Sequence, residues 1–294
     1  MPLIKSILCP VDFSESSVNA YEYAQSLAVH YNATLDLQHV LYSSKAFDFW
    51  DIYPDSYEED CRQLRAVAER KLREFAKSHL LAQIPLQYFV QDGLTADLIL
   101  SFAETQAANL IVMGTHGLRG IDRLILGSVI ERVLRRAHCP VLAVRKPERH
   151  VACSVRDLEQ VNFKKVLLCT DFSDHARRAS EYALSIAEAY GAELTLLHVL
   201  EDFPEARNLQ TATEKVKKEL DESIAAKVCG NCTVNVVVRA GKPYQQIIQL
   251  AIEAQTDIVV MGVRGRDALD AALFGSVTHR VIQLGPCPVL AIPI

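Results

Sequence analysis

The same order of motifs occurs twice in this chain, which restricts it to a duplicated fold. Ile7-Leu8-Cys9-Pro10-Val11-Asp12-Phe13-Ser14 returns as Leu167-Leu168-Cys169-Thr170-Asp171-Phe172-Ser173, with Asp12 and Asp171 offset by 159 residues. Leu35-Asp36-Leu37-Gln38-His39-Val40 returns at the same offset as Leu194-Thr195-Leu196-Leu197-His198-Val199. Later, Gly114-Thr115-His116-Gly117, nine residues and Gly127-Ser128 return as Gly262-Val263-Arg264-Gly265, nine residues and Gly275-Ser276. From Gly93 and Gly241 onward the offset is 148, so the second copy is 11 residues shorter between its second strand and Gly241. A repeat of this period is one folding unit used twice.

At 294 residues the chain has room for two domains, each with its own core. A net charge of -5 gives no reason to expect a nucleic-acid or anionic-membrane surface. No apolar run reaches the roughly 18 residues that span a bilayer. Met1-Pro2-Leu3-Ile4-Lys5-Ser6 leads directly into a strand, without the organisation of a signal peptide. The expectation is a soluble, cytoplasmic protein. Cys9, Cys169, Cys139 and Cys287 lie at matching places in apolar runs and read as buried free thiols. Cys229-Gly230-Asn231-Cys232 is a lone CxxC, and no second pair or histidine pair completes a metal site.

Each half alternates short apolar strands with helical periods, the pattern of a parallel sheet covered on both faces. Strands are expected near 4–9, 34–40, 86–90, 109–113 and 140–144, and again near 165–169, 193–199, 233–238, 257–261 and 288–292. Helices are expected in the first half near 16–31, 57–80, 95–107 and 127–136. Ser14 reads as the cap of the first helix, with Glu15 in its first turn. Residues 43–60 form a first-half insertion that mixes Phe47, Phe49, Trp50, Tyr53 and Tyr57 with acids. It reads as a loop folded over its own domain, with a lid or partner surface as the alternative. The domains are expected at 1–147 and 163–294, with a linker at 148–162.

A strand, a glycine turn and a helix N-terminus form an anion site, because the first N–H groups of the helix have no intrahelical partner. In a doubly wound sheet such a site lies at the carboxyl ends of the strands where their order reverses. Asp12 and Asp171 end the first strand of each half, and the glycine motif ends the fourth. Gly114 and Gly262 would permit close backbone approach, and Gly117 and Gly265 would open the loop. Gly127 and Gly275 would bring the helix near, and Ser128 and Ser276 would add hydroxyls. His116, Arg264 and Arg266 would offset phosphate charge. The alternative is that the glycines are plain turns and the aspartates plain caps. Neither GxxxxGK[ST] nor GxGxxG is present. His39 and His198 read as satisfied strand histidines. Arg132, Arg135 and Arg136 read as cations at a helix C-terminus.

G-x2-G-x9-G-[S/T] after a strand, with an aspartate after the first strand, resembles the nucleotide-binding branch of the universal stress protein family, in tandem form. The resemblance covers nearly the whole chain except 43–60 and the linker. It implies two Rossmann-like, doubly wound, five-stranded parallel sheets of strand order 3-2-1-4-5. It also implies ATP or AMP as ligand, with or without Mg. Asp12 and Asp171 would contact the ribose, and Val40 and Val199 would hold the adenine through backbone groups. Gly114, Gly117, Gly127 and Ser128, and Gly262, Gly265, Gly275 and Ser276, would surround the phosphates. Val129 and Val277 begin the next helix, and Thr278 keeps a hydroxyl where the first copy has Ile130. With Arg264 and Arg266 as well, the second site is expected to bind phosphate more tightly. Pairing of the fifth strands, Val141-Leu142-Ala143-Val144 and Val289-Leu290-Ala291-Ile292, would make an intramolecular pseudo-dimer, and a homodimer is a further option.

The leading function is therefore an adenine-nucleotide-binding stress-response protein whose ligand state sets its shape or its protein partners. A protein-interaction scaffold with empty sites and a slow ATPase are the alternatives. Asp122, Asp267 and Asp270 lie in the variable nine-residue stretches and read as solvated loop, so no catalytic residue is assigned.

Overall fold

The computed structural model describes residues 4–41, 54–81, 83–117, 126–145, 161–201, 206–225, 232–263 and 275–293. They form two compact units, divided between Lys146 and Pro147. The first runs β1 (Ser6–Pro10), α1 (Glu15–Tyr31), β2 (Thr34–Leu41), α2 (Pro54–Ser78), β3 (Leu86–Asp92), α3 (Thr95–Thr105), β4 (Leu110–Gly114), α4 (Ser128–Arg136) and β5 (Val141–Val144). Its strands pair in parallel in the order β3-β2-β1-β4-β5. The second runs β6 (Lys165–Cys169), α5 (Asp174–Tyr190), β7 (Glu193–Leu200), α6 (Ala206–Ala225), β8 (Val234–Ala240), α7 (Pro243–Glu253), β9 (Ile258–Gly262), α8 (Ser276–Leu284) and β10 (Val289–Ile292). Its order is β8-β7-β6-β9-β10, again parallel.

These orders are the doubly wound arrangement expected from the repeat. Helices on both faces explain why the strands read as continuous apolar runs rather than alternating ones. Ile7, Leu8 and Cys9 are all fully buried. The chain turns left from β1 to β2 and right from β4 to β5, so the order reverses between β1 and β4. One correction concerns the insertion read at 43–60: helix α2 already begins at Pro54, so only its earlier part precedes the helix. Phe47, Phe49, Trp50 and Tyr53, the stretch 148–160, Cys229 and the three loop aspartates lie outside the described residues.

Local chemistry fixes the ends of the elements. Ser14 caps α1 in a capping box, its hydroxyl accepting from Ser17 N–H while Ser17 Oγ accepts from Ser14 N–H. Arg135 and Arg136 occupy the last turn of α4 and pair with Glu131 and Asp97. Cys9, Cys139 and Cys169 are buried free thiols, Cys287 is a buried cysteine, and Cys232 is also free. Burial pushes the Cys139 thiol up to about 12, which makes it a core group rather than a nucleophile.

Asp36, in the middle of β2, is the buried carboxyl that runs against this pattern. Burial holds its pKa above the ordinary 3.8. A carboxyl with a raised folded value favours the fold when protonated, and that contribution is lost as pH rises from 3.8 through the folded value. Asp36→Asn should therefore melt higher than the parent chain at neutral pH. The gap should close on acidification below the ordinary carboxylate value, which thermal melts at a series of pH values would read.

Candidate functional site

Each aspartate that ends a first strand is aimed by an unusual backbone residue. Phe13 has φ 68° and Phe172 has φ 62°, left-handed conformations that cost an L-residue about 1–2 kcal/mol. The strain recurs at equivalent places in both domains. Each phenyl ring packs on a strand histidine, Phe13 on His39 at 4.4 Å and Phe172 on His198 at 4.9 Å between centroids. The histidines donate from Nδ1 to the carbonyls of Val11 and Thr170, both at 2.8 Å. They are satisfied strand histidines, as read from the sequence. Burial holds His39 below its ordinary pKa; Lys71 adds to this, while the Val11 bond and Asp12 oppose it. Lys71 Nζ also lies 4.3 Å from the Phe13 ring centroid. Sequence reasoning missed this device, although Phe after Asp in both copies was its available signal.

The turn fixes one carboxylate oxygen and leaves the other facing the loop. Asp12 Oδ1 accepts from Ser14 N–H at 3.0 Å and Ser17 Oγ at 2.5 Å. Its Oδ2 lies where a Cβ on Gly117 would fall, only 2.6 Å away. Asp12 and Gly117, 105 residues apart, thus meet at the strand-order reversal. Gly114 ends β4 against α1, and a Cβ there would stand 2.8 Å from the Ser16 carbonyl carbon. His116 donates its backbone N–H to Ser16 Oγ at 3.4 Å, and its Nδ1 lies 2.9 Å from Thr115 Oγ1.

The helix end completes the crevice. Gly127 N–H donates to the Thr115 carbonyl at 3.0 Å, which draws the start of α4 toward the loop. Gly127 is the N-cap and no side chain caps the helix. The first turn, Ser128 and Val129, therefore presents its dipole and N–H groups toward the loop. Val40, half-buried near the C-terminal end of β2, lies in register with Gln91 of β3.

The second domain repeats the frame. Asp171 Oδ1 accepts from Ser173 N–H at 3.0 Å and Ser173 Oγ at 2.6 Å. Gly262 ends β9, and Gly275 N–H donates to the Val263 carbonyl at 3.2 Å. Gly275 caps α8, again without a side-chain cap, and Ser276 and Val277 open the helix. Val199 lies in β7, in register with Arg239. Arg264, Gly265 and Arg266 lie outside the described residues.

Thr278 departs from expectation. Its hydroxyl is buried and donates to the Gly262 carbonyl at 2.8 Å. It is directed inward, as is buried Ile130 at the same place in the first domain. A threonine on an apolar helix face satisfies its hydroxyl on the nearest carbonyl, which here is the strand end. One of the two reasons for ranking the second site above the first therefore falls.

Among the described residues, no helix is long and apolar enough to cross a membrane. The fold and site define a class: a tandem of doubly wound α/β domains, each with a glycine loop at its order reversal. The model of the universal stress protein family matches residues 3–145 and 162–293, and the chain belongs to that family. A universal stress protein of Mycobacterium tuberculosis is 25% identical across 97% of this chain and 95% of its own length. One from Methanocaldococcus jannaschii is 34% identical over 50% of this chain and 85% of its own. The crystal structure of a universal stress protein from Archaeoglobus fulgidus aligns with a TM-score of 0.65 at 25% identity, covering 98% of both chains.

Proposed function

We propose that each domain binds an adenine nucleotide, ATP or AMP, and that the ligand state sets conformation or partner binding in a stress response. The observation that supports this most is the meeting of Asp12, Gly117 and the uncapped start of α4 at the β1/β4 reversal. A carboxylate accepts ribose hydroxyls, and backbone N–H groups at a helix start take phosphate oxygens. Val40 and Val199 would hold the base through their backbone groups. Gly114, Gly117, Gly127, Ser128 and Val129 would surround the phosphates in one domain. Gly262, Gly265, Gly275, Ser276 and Val277 would do so in the other, with His116 and Arg264 supplying charge. Mg, where it binds, would accompany the phosphates.

Mass spectrometry of the supernatant from purified, denatured protein should find adenine nucleotide, and calorimetry with ATP, ADP and AMP should give saturable binding. A preparation that carries no nucleotide and takes up none would favour the scaffold reading instead. Comparing Gly275→Ala with Gly127→Ala in an ATP titration assigns the losses to the two sites. Multiple-turnover phosphate release tests the slow-ATPase alternative.

A further inference from the structure

The strand pairing beside each aspartate stops one bond early, at the same place in both domains. Val11 N–H donates to the Gln38 carbonyl at 2.8 Å, and Thr170 N–H donates to the Leu197 carbonyl at 3.0 Å. In a parallel ladder, a residue that donates to one carbonyl of its neighbour strand accepts from the N–H two residues further along that strand. The Val11 carbonyl would then take the N–H of Val40, and the Thr170 carbonyl that of Val199. Neither bond is present. Each carbonyl accepts instead from the histidine in between, Nδ1 of His39 and Nδ1 of His198, both at 2.8 Å. A carbonyl only accepts, so Nδ1 carries the proton in both rings.

This exchange leaves a donor open. Alternate residues of β2 turn their backbone toward β1: Thr34 N–H donates to the Lys5 carbonyl at 2.9 Å, and the Gln38 carbonyl accepts from Val11. Val40 continues that series and faces the stretch just past β1, where Asp12 lies. In the second domain Glu193 N–H donates to the Lys164 carbonyl at 2.8 Å, and Val199 continues the series toward Asp171. Among the described residues the N–H groups of Val40 and Val199 have no hydrogen-bond partner. Both valines are half-buried. An N–H left open in such a place is costly, and its recurrence in both domains calls for a use. The histidine makes the opening persist, because its ring is also packed on the phenyl ring after the aspartate.

We propose that His39 and His198 are positioning residues that hold the ladder open, so that the N–H of Val40 and of Val199 donates to a ring nitrogen of the bound base. The inference rests on the nucleotide reading above and adds what keeps the valine N–H groups available to the base. Each histidine acts only through the carbonyl that it occupies. The same ring ties the base contact to the aspartate, since it bonds the residue before Asp12 or Asp171 and packs on the residue after it.

The test changes both domains together in the full chain. AMP and ribose 5-phosphate are titrated by calorimetry, the latter having no base for the valines to hold. His39→Leu/His198→Leu frees both carbonyls for the ladder and should lower the preference for AMP over ribose 5-phosphate about fivefold. His39→Asn/His198→Asn should keep the parent preference, because an asparagine amide nitrogen can donate from about the place of Nδ1. An unchanged preference in the leucine pair, or an equal loss in the asparagine pair, overturns the proposal while the nucleotide reading stands. So does an equal fall for both ligands, which marks a purely structural histidine. Amide hydrogen exchange in the parent chain needs no variant to fold. Val40 and Val199 should exchange fast without ligand and slowly once AMP saturates the chain. Slow exchange before AMP is added, or no slowing after it, overturns the proposal. A parent chain that binds neither AMP nor ATP overturns the nucleotide reading itself, and this inference with it.

Discussion

Gly117→Ala is expected to weaken nucleotide binding to the first domain by about ten- to a hundredfold while leaving the fold intact. Gly117 is not among the residues with positive φ, so alanine fits its backbone. Among the described residues the added methyl meets only Asp12, with Oδ2 at 2.6 Å and Cγ at 3.8 Å. The carboxylate has to rotate, because a side-chain end moves more readily than the loop. Rotation gives up the Oδ1 bonds to Ser14 and Ser17 or turns Oδ2 away from the crevice. Losing a hydrogen bond to a charged group costs about 1.5–3 kcal/mol, which sets the range. Titration of ATP into Gly117→Ala beside Asp12→Ala reads it. If Asp12 is the route, the two losses match and the double variant is no worse than either. Parent-like affinity in Gly117→Ala would separate the loop from the aspartate and remove the main support for the site.

The parts of this arrangement that were legible in the sequence are those written in spacing. Strand and helix positions followed from apolar periods, and the Ser14 cap from its place before Glu15. The glycine loop followed from its repetition at identical spacing. Three features were not written that way. The left-handed backbone at Phe13 leaves no trace in side-chain periodicity, since aromatic residues seldom adopt it. The inward turn of Thr278 follows from packing against the Gly262 carbonyl, and a buried hydroxyl looks like an available one until its partner is known. The Gln38–Gln91 pair joins two strands whose contact depends on sheet order, and a glutamine in an apolar run gives no hint of its partner. What spacing fixes is the frame; what it omits is how polar groups choose among nearby acceptors.

The largest effect on stability is expected at Gly114, for a reason different from phosphate binding. A Cβ there would lie 2.8 Å from both the carbonyl carbon and the Cβ of Ser16, in the first turn of α1. Neither neighbour can swing aside. Gly114 is held in register with Val144, and the Thr115 N–H is bonded to the Val144 carbonyl at 3.0 Å. The start of α1 is pinned by the Ser14 capping box and by the strained Phe13 turn. Gly114→Ala therefore overpacks a rigid junction, at a cost of about 3 kcal/mol. For a domain of this size that corresponds to a fall of roughly 10 °C in the thermal midpoint. Gly127→Ala is the control, because its nearest obstacle is the Thr115 carbonyl oxygen at 3.1 Å, which can give by a few tenths of an ångström. Calorimetric melts should place Gly127→Ala close to the parent and Gly114→Ala well below it. Equal midpoints for the two variants would mean that α1 and β4 are not locked at the reversal. The first glycine of the motif would then answer to the ligand rather than to the seating of α1 on β4, the contact that brings Asp12 within reach of the loop.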